Sequence, residues 1–121
     1  MKTTQQKAVV AFTTITRMGQ KPMNSLTAYK FFKLKKALKD AVDFQAEEEM
    51  KIINELGGSV TETGEIKLED DKRAEFIARH KEMEEMECEI NSDRIEIMLS
   101  EIKDISLADM EILEPFVEWK E

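Results

Sequence analysis

Cysteine occurs once, at Cys88, so no disulfide can close within the chain and the stapled framework of small secreted domains is excluded. Two prolines and four glycines in 121 residues leave long stretches free to form regular structure, which argues against a disordered or low-complexity chain. No uninterrupted apolar run approaches the roughly 20 residues that a membrane-spanning helix needs. The opening stretch MKTTQQKAVVAFTTITRMG has a little positive charge and a short apolar patch, but its threonines do not suit a secretory signal. With 41% hydrophobic and 36% charged residues, the expectation is a single soluble domain over 1–121, resident in the cytoplasm.

Charge is abundant, and it is segregated. The net charge of −8 divides into about +7 over residues 1–46 and about −15 over residues 47–121. Such polarity favours an oriented assembly surface, since fields of opposite sign steer different partners to different ends of the molecule.

Hydrophobic spacing sets the architecture. Val9, Val10, Phe12 and Ile15 fit a short helix within Gln6 to Met18, stopped by Gly19 and Pro22, although Val, Thr and Ile also favour strand. From 26 to 57 the pattern predicts one long helix. Leu26, Phe31, Leu34, Leu38, Ala41, Val42, Gln45, Ile52, Ile53 and Leu56 fall on or beside one stripe, with Asn24 or Ser25 as cap. At about 1.5 Å per residue it would reach roughly 45 Å. Tyr29 and Phe32 lie off the stripe, where they would hold the amino-terminal helix against a second face.

Gly57 and Gly58 are expected to end this helix with positive backbone dihedrals. Residues 58–69 then read as a β-hairpin turning around Glu62 to Gly64. A second long helix is expected over 70–90, capped by Asp70 or Asp71, with Phe76, His80, Met83, Met86 or Glu87, and Ile90 on its inner face and Ile77 beside them. Beyond it, RIEIML at 94–99 reads as a strand pairing with the hairpin, and Ser106 caps a last helix ended by Pro115. The fold class predicted is mainly α with a small β-element, a long antiparallel helical hairpin carrying short amino- and carboxy-terminal helices.

Catalytic signatures are sparse. Gly57, Gly58 and Gly64 lack both the Lys-Ser/Thr ending and the strand-to-helix setting of a phosphate loop. His80, Glu84, Glu87 and Cys88 would share a face if the second helix ran to 90, yet the spacing of His80 with Phe76 and Met83 favours a packed histidine over a zinc ligand. Cys88 as a nucleophile activated by His80 would have its base about 12 Å away along one helix. No catalytic residue, metal or cofactor is therefore expected.

The acidic clusters Glu47 to Glu49 and Glu82 to Glu89 read first as solvated helical faces. They also admit an acidic inhibitor or nucleic-acid mimic directed at a basic protein. Lys30, Lys33, Lys35, Lys36 and Lys39 could contact phosphates of a nucleic acid, but the helical wheel spreads them over a wide surface.

The run AYKFFKLKKALKDAVDFQAEEEMKIINELGG, then GEIKL, a charged helix and ISLADMEILEPF, resembles small phage and prophage proteins of an uncharacterised family. The resemblance spans about residues 20–119. It implies a bacterial host, a genomic context among phage structural or late genes, and association with virions. It carries over no catalytic residue.

These readings converge on a noncatalytic accessory protein that binds a protein partner or its own copies. The candidate interface residues are Tyr29, Phe32, Lys33 and Lys36 on the long helix, Glu84 and Glu87 on the acidic segment, and Phe116 and Trp119 in the tail. The tail aromatics, with Leu107, Met110, Ile112 and Leu113, would either cover the open end of the helical pair or dock a partner.

Overall fold

The computed structural model describes all 121 residues, and it is mainly α with a small β component. A short strand β1 (Lys2–Thr4) leads into α1 (Gln5–Met18), and α2 (Ser25–Glu55) follows as the longest element. The two-stranded hairpin β2 (Ser59–Val60) and β3 (Ile66–Lys67) precedes α3 (Asp70–Glu85) and β4 (Glu87–Glu89). The chain closes with β5 (Ile95–Met98), a 3₁₀ turn at Leu99–Glu101, α4 (Leu107–Leu113) and β6 (Val117–Lys120).

α2 is the spine. Asn24 starts it, its side-chain oxygen accepting from the backbone N–H of Leu26 and Thr27, which satisfies donors the first turn would otherwise leave unpaired. Its inner stripe of Thr27, Phe31, Leu34, Leu38 and Ala41 is buried against α1. α1 meets this stripe through Ala8, Ala11 and Ile15, and the two alanines let the helices approach closely. Farther along, Ile52 and Ile53 are buried where α3 lies against α2. One side of α2 is therefore covered in succession by two helices.

The junction between them is held at Gln5. This fully enclosed side chain donates from Nε2 to the Ala41 carbonyl at 3.0 Å, and its backbone N–H donates to the Met86 carbonyl at 2.9 Å. α3 runs antiparallel to α2, since Arg79 pairs with Glu55 while the chain after Glu85 arrives beside Ala41. The hairpin of long helices is thus as expected, but its second arm is shorter than the predicted 70–90. After Met86 the chain becomes β4, antiparallel to β1 with Thr3 opposite Cys88. Helix propensity differs by only tenths of a kcal/mol among the residues of this segment, and pairing with an available strand overrides it. The cap also differs: Glu69 occupies the N-cap without a side-chain hydrogen bond, and Asp70 and Asp71 stand in the first turn, where their charge suits the helix dipole.

The α2 terminus follows the Schellman pattern. Gly57 has φ +74°, its N–H donates to Asn54 and the Gly58 N–H donates to Ile53, closing the last carbonyls. Gly58 does not take a positive φ; it is small because the hairpin passes close by, and a Cβ there would sit 2.4 Å from Leu68 Cδ2 and 2.7 Å from the Lys67 carbonyl. The hairpin itself turns as predicted, with Gly64 at φ +86° and Val60 opposite Ile66.

RIEIML does form a strand, though its partner is β6 and not the hairpin. β5 and β6 run parallel, Ile95 opposite Val117 and Ile97 opposite Trp119. Parallel neighbours need a crossover of a dozen or more residues, which the 3₁₀ turn and α4 supply. Ser106 caps α4, accepting from the Asp109 N–H at 3.1 Å, and the helix ends at Leu113 ahead of Pro115. This unit adds Ile97, Leu113, Phe116 and Val117 to the core of α1 and α2. No helix is long and apolar enough to cross a membrane.

Candidate protein interface

At 3.6 residues per turn, burying Phe31, Leu34 and Leu38 turns Tyr29, Phe32, Lys33 and Lys36 toward solvent on the opposite side of α2. Tyr29 and Phe32 are 57% and 59% exposed, so both present apolar rings to water. Their centroids are 6.5 Å apart with planes inclined by 27°, and Lys33 Nζ lies 5.7 Å from the Tyr29 ring. They do not hold α1 against a second face, because α1 already packs on the inner stripe. Leu26, expected on that stripe, falls on the exposed side with them.

The lysines do not form one patch. Lys30 donates to the Glu96 carbonyl at 2.8 Å, Lys35 lies over the Phe12 ring, and Lys39 pairs with Asp43 one turn on. Lys33 and Lys36, with Lys39 one turn farther on, share the outer face with the aromatic pair. Past Asp40 that face turns acidic, through Asp43 and Glu47, and carries Phe44 and Met50, both exposed.

Glu84 is directed inward, away from any such surface. His80 Nδ1 lies 2.9 Å from Glu84 Oε1, and His80 Nε2 lies 2.7 Å from Glu49 Oε1 on α2. A neutral imidazole has one donor and one acceptor, so bonding two ionised carboxylates calls for the imidazolium. Burial disfavours that charge, but the hydrogen bonds it donates to Glu49 and Glu84 outweigh it and the pKa of His80 is raised. Phe76 adds a ring 5.6 Å from the imidazole. The cluster ties α3 to α2, alongside Arg79 with Glu55. No group of three or more His, Cys, Asp or Glu is placed to hold a metal ion.

Glu87 and Cys88 sit on β4, outside α3, so His80 and Cys88 do not share a helix as the sequence suggested. The Cys88 thiol is pushed up by burial and by the neighbouring Glu89, opposite to the shift that activates a nucleophile. Glu87 is exposed opposite Thr4, and the break between α3 and β4 splits the acidic run from Glu82 to Glu89 into two surfaces.

The tail aromatics serve the core. Phe116 has no solvent exposure, and Trp119 packs half-buried against the same cluster. Of the two roles open to them, covering the end of the helical pair is the one observed for Phe116. Trp119 Nε1 is buried without a hydrogen-bond partner.

A feature without sequence warning is a cleft of about 910 Å³ where the α1–α2 loop, the segment Ser100–Ile105 and α4 meet. Arg17 reaches across it to Asp109 at 2.5 Å, and Thr27 Oγ1 donates to Glu101 at 2.9 Å. Asp104 holds a left-handed φ of +58° on its rim. The lining comes from three separate segments, so no local motif announces it, and Arg17, Asp109, Thr27 and Glu101 satisfy one another. No family model, curated protein or solved structure matches the chain.

Proposed function

We propose that this chain is a noncatalytic accessory protein, of phage or prophage type, that works by binding a protein surface through the outer face of α2. The observation that carries this reading is the exposed Tyr29–Phe32 pair with Lys33 beside it, on a helix whose other side is occupied by α1, α3 and β5. Aromatic side chains concentrate at the centres of protein interfaces, where large, rigid apolar surface is removed from water at little entropic cost. His80 supports the same reading because its two ring nitrogens are engaged by Glu49 and Glu84 within the fold.

A photo-crosslinking residue in place of Phe32, introduced in the native cells, tests this directly, with the same residue at Thr63 in the hairpin turn as control. The expected result is a protein adduct from position 32 that position 63 does not give. Equal labelling from both positions, or none from position 32, would count against the reading.

A further inference from the structure

Along the outer face of α2 the charge changes sign near the middle, at Lys39 and Asp40, and a lysine returns only at Lys51. Lys33 and Lys36 lie on the amino-terminal half, Asp43 and Glu47 on the carboxy-terminal half, and all four are exposed. At 100° per residue the four project within one narrow sector of the helix, the side opposite Leu34, Leu38 and Ile52. Apolar groups flank both halves: Tyr29 and Phe32 at one end, Phe44 and Met50 at the other.

We infer that this face is self-complementary and that its occupant is a second copy of the chain, docked with the two α2 helices antiparallel about a two-fold axis near Asp40. The inference rests on the interface reading above and names its partner. A two-fold axis at that point sets each residue opposite the one whose number completes a sum of about 80. Lys36 then meets the partner copy's Asp43, Lys33 meets Glu47, and Tyr29 and Phe32 reach Met50. Every one of these contacts occurs twice. A parallel, in-register pairing would instead oppose lysine to lysine and carboxylate to carboxylate, so the charge order selects the antiparallel arrangement. Nothing in the fold obstructs the approach, since α1, α3 and β5 pack on the rest of α2. The Lys39–Asp43 pair within the helix is exposed at both ends and can exchange partners at little cost.

The geometry dictates a charge-swap experiment. One variant carries Lys33→Glu and Lys36→Glu, a second carries Asp43→Lys and Glu47→Lys, and a third carries all four changes. In sedimentation equilibrium at low salt, the wild type should dimerise. Each two-site variant alone should dimerise at least about tenfold more weakly, because every ionic contact becomes repulsive. An equimolar mixture of those two variants should recover the dimer as a heterodimer, and the four-site variant should recover it alone. Helical circular dichroism confirms that each variant folds.

A wild type that stays monomeric, or a dimer indifferent to the two-site changes, overturns the inference. Failure of recovery in the mixture overturns it as well. Should the wild type be monomeric while position 32 still crosslinks to a different protein, the second copy is wrong and the interface reading stands. A monomer that also gives no adduct from position 32 removes both.

Discussion

Two phenylalanines separate what holds the fold from what the proposed interface would present to a partner. Phe116 is wholly enclosed by the core of α1, α2, α4 and β5, whereas Phe32 is 59% exposed on the outer face of α2. Truncating Phe116 to alanine forfeits about 1.5–3 kcal/mol of apolar transfer. It also leaves a cavity that the surrounding Leu, Ile and Val side chains fill only in part, and the two terms together cost about 3–5 kcal/mol. A domain of this size has about 5–15 kcal/mol to lose, so the variant should survive near the margin. Phe32→Ala, far from the core, should change stability by no more than about 0.5 kcal/mol.

Urea unfolding followed by far-ultraviolet circular dichroism measures both, at protein concentrations low enough that association does not add to stability. The slope with denaturant should be unchanged while the midpoint of Phe116→Ala falls sharply. Raising the concentration should then stabilise the wild type and leave Phe32→Ala behind. If Phe116→Ala costs less than about 1 kcal/mol, or Phe32→Ala costs as much as Phe116→Ala, the division between core and interface is wrong.

Other elements give independent tests. Because the pKa of His80 is raised in the folded chain, its contribution to stability is fully present below the unfolded value of about 6.5 and is lost as pH rises through the higher folded value. A His80→Gln variant should flatten that part of the stability–pH curve, and an unchanged curve would refute the imidazolium clasp. A double-mutant cycle on Arg17→Ala and Asp109→Ala should give a coupling of about 1–2 kcal/mol, between an exposed pair and a buried one, since Arg17 is open to water and Asp109 is not. Gly57→Ala should cost about 1–2 kcal/mol through its positive φ alone. Gly58→Ala must also displace the hairpin, seen as amide shifts over residues 61–68 that Gly57→Ala does not produce.

How legible each element was follows from where its information lies. The caps at Asn24 and Ser106, the Gly57 stop and the 60–66 turn are written in consecutive residues, and each formed where read. The strand at 95–98 was legible from alternation, but its partner was not, because pairing with β6 depends on an 18-residue crossover that no local pattern encodes. The end of α3 failed for a related reason. Residues 86–90 favour helix when read alone, and only the arrival of β1, more than eighty residues away, offers them a ladder. Of the acidic clusters read as solvated helical faces, Glu47 is exposed, whereas Glu49 and Glu84 turn in to His80, a partner that local sequence does not reveal. The tail aromatics were ambiguous, since composition does not distinguish a buried phenylalanine from an exposed one.

That contrast bears on the interface itself. The position of Tyr29 and Phe32 on α2 is fixed by helical period once Phe31, Leu34 and Leu38 choose the inner side, so their exposure follows from the core and not from a choice made at the surface. Lysine at such positions is cheap to solvate; two stacked aromatic rings are less so, and neither contributes to the buried core. The same period carries forward through Lys36, Asp43 and Glu47, so the order of charge on this face is also set by sequence along one rigid element. A surface that a single helix specifies in full is rigid before it binds, and the proposed match with another copy would ask for no more than the exchange of exposed ion-pair partners such as Lys39 and Asp43.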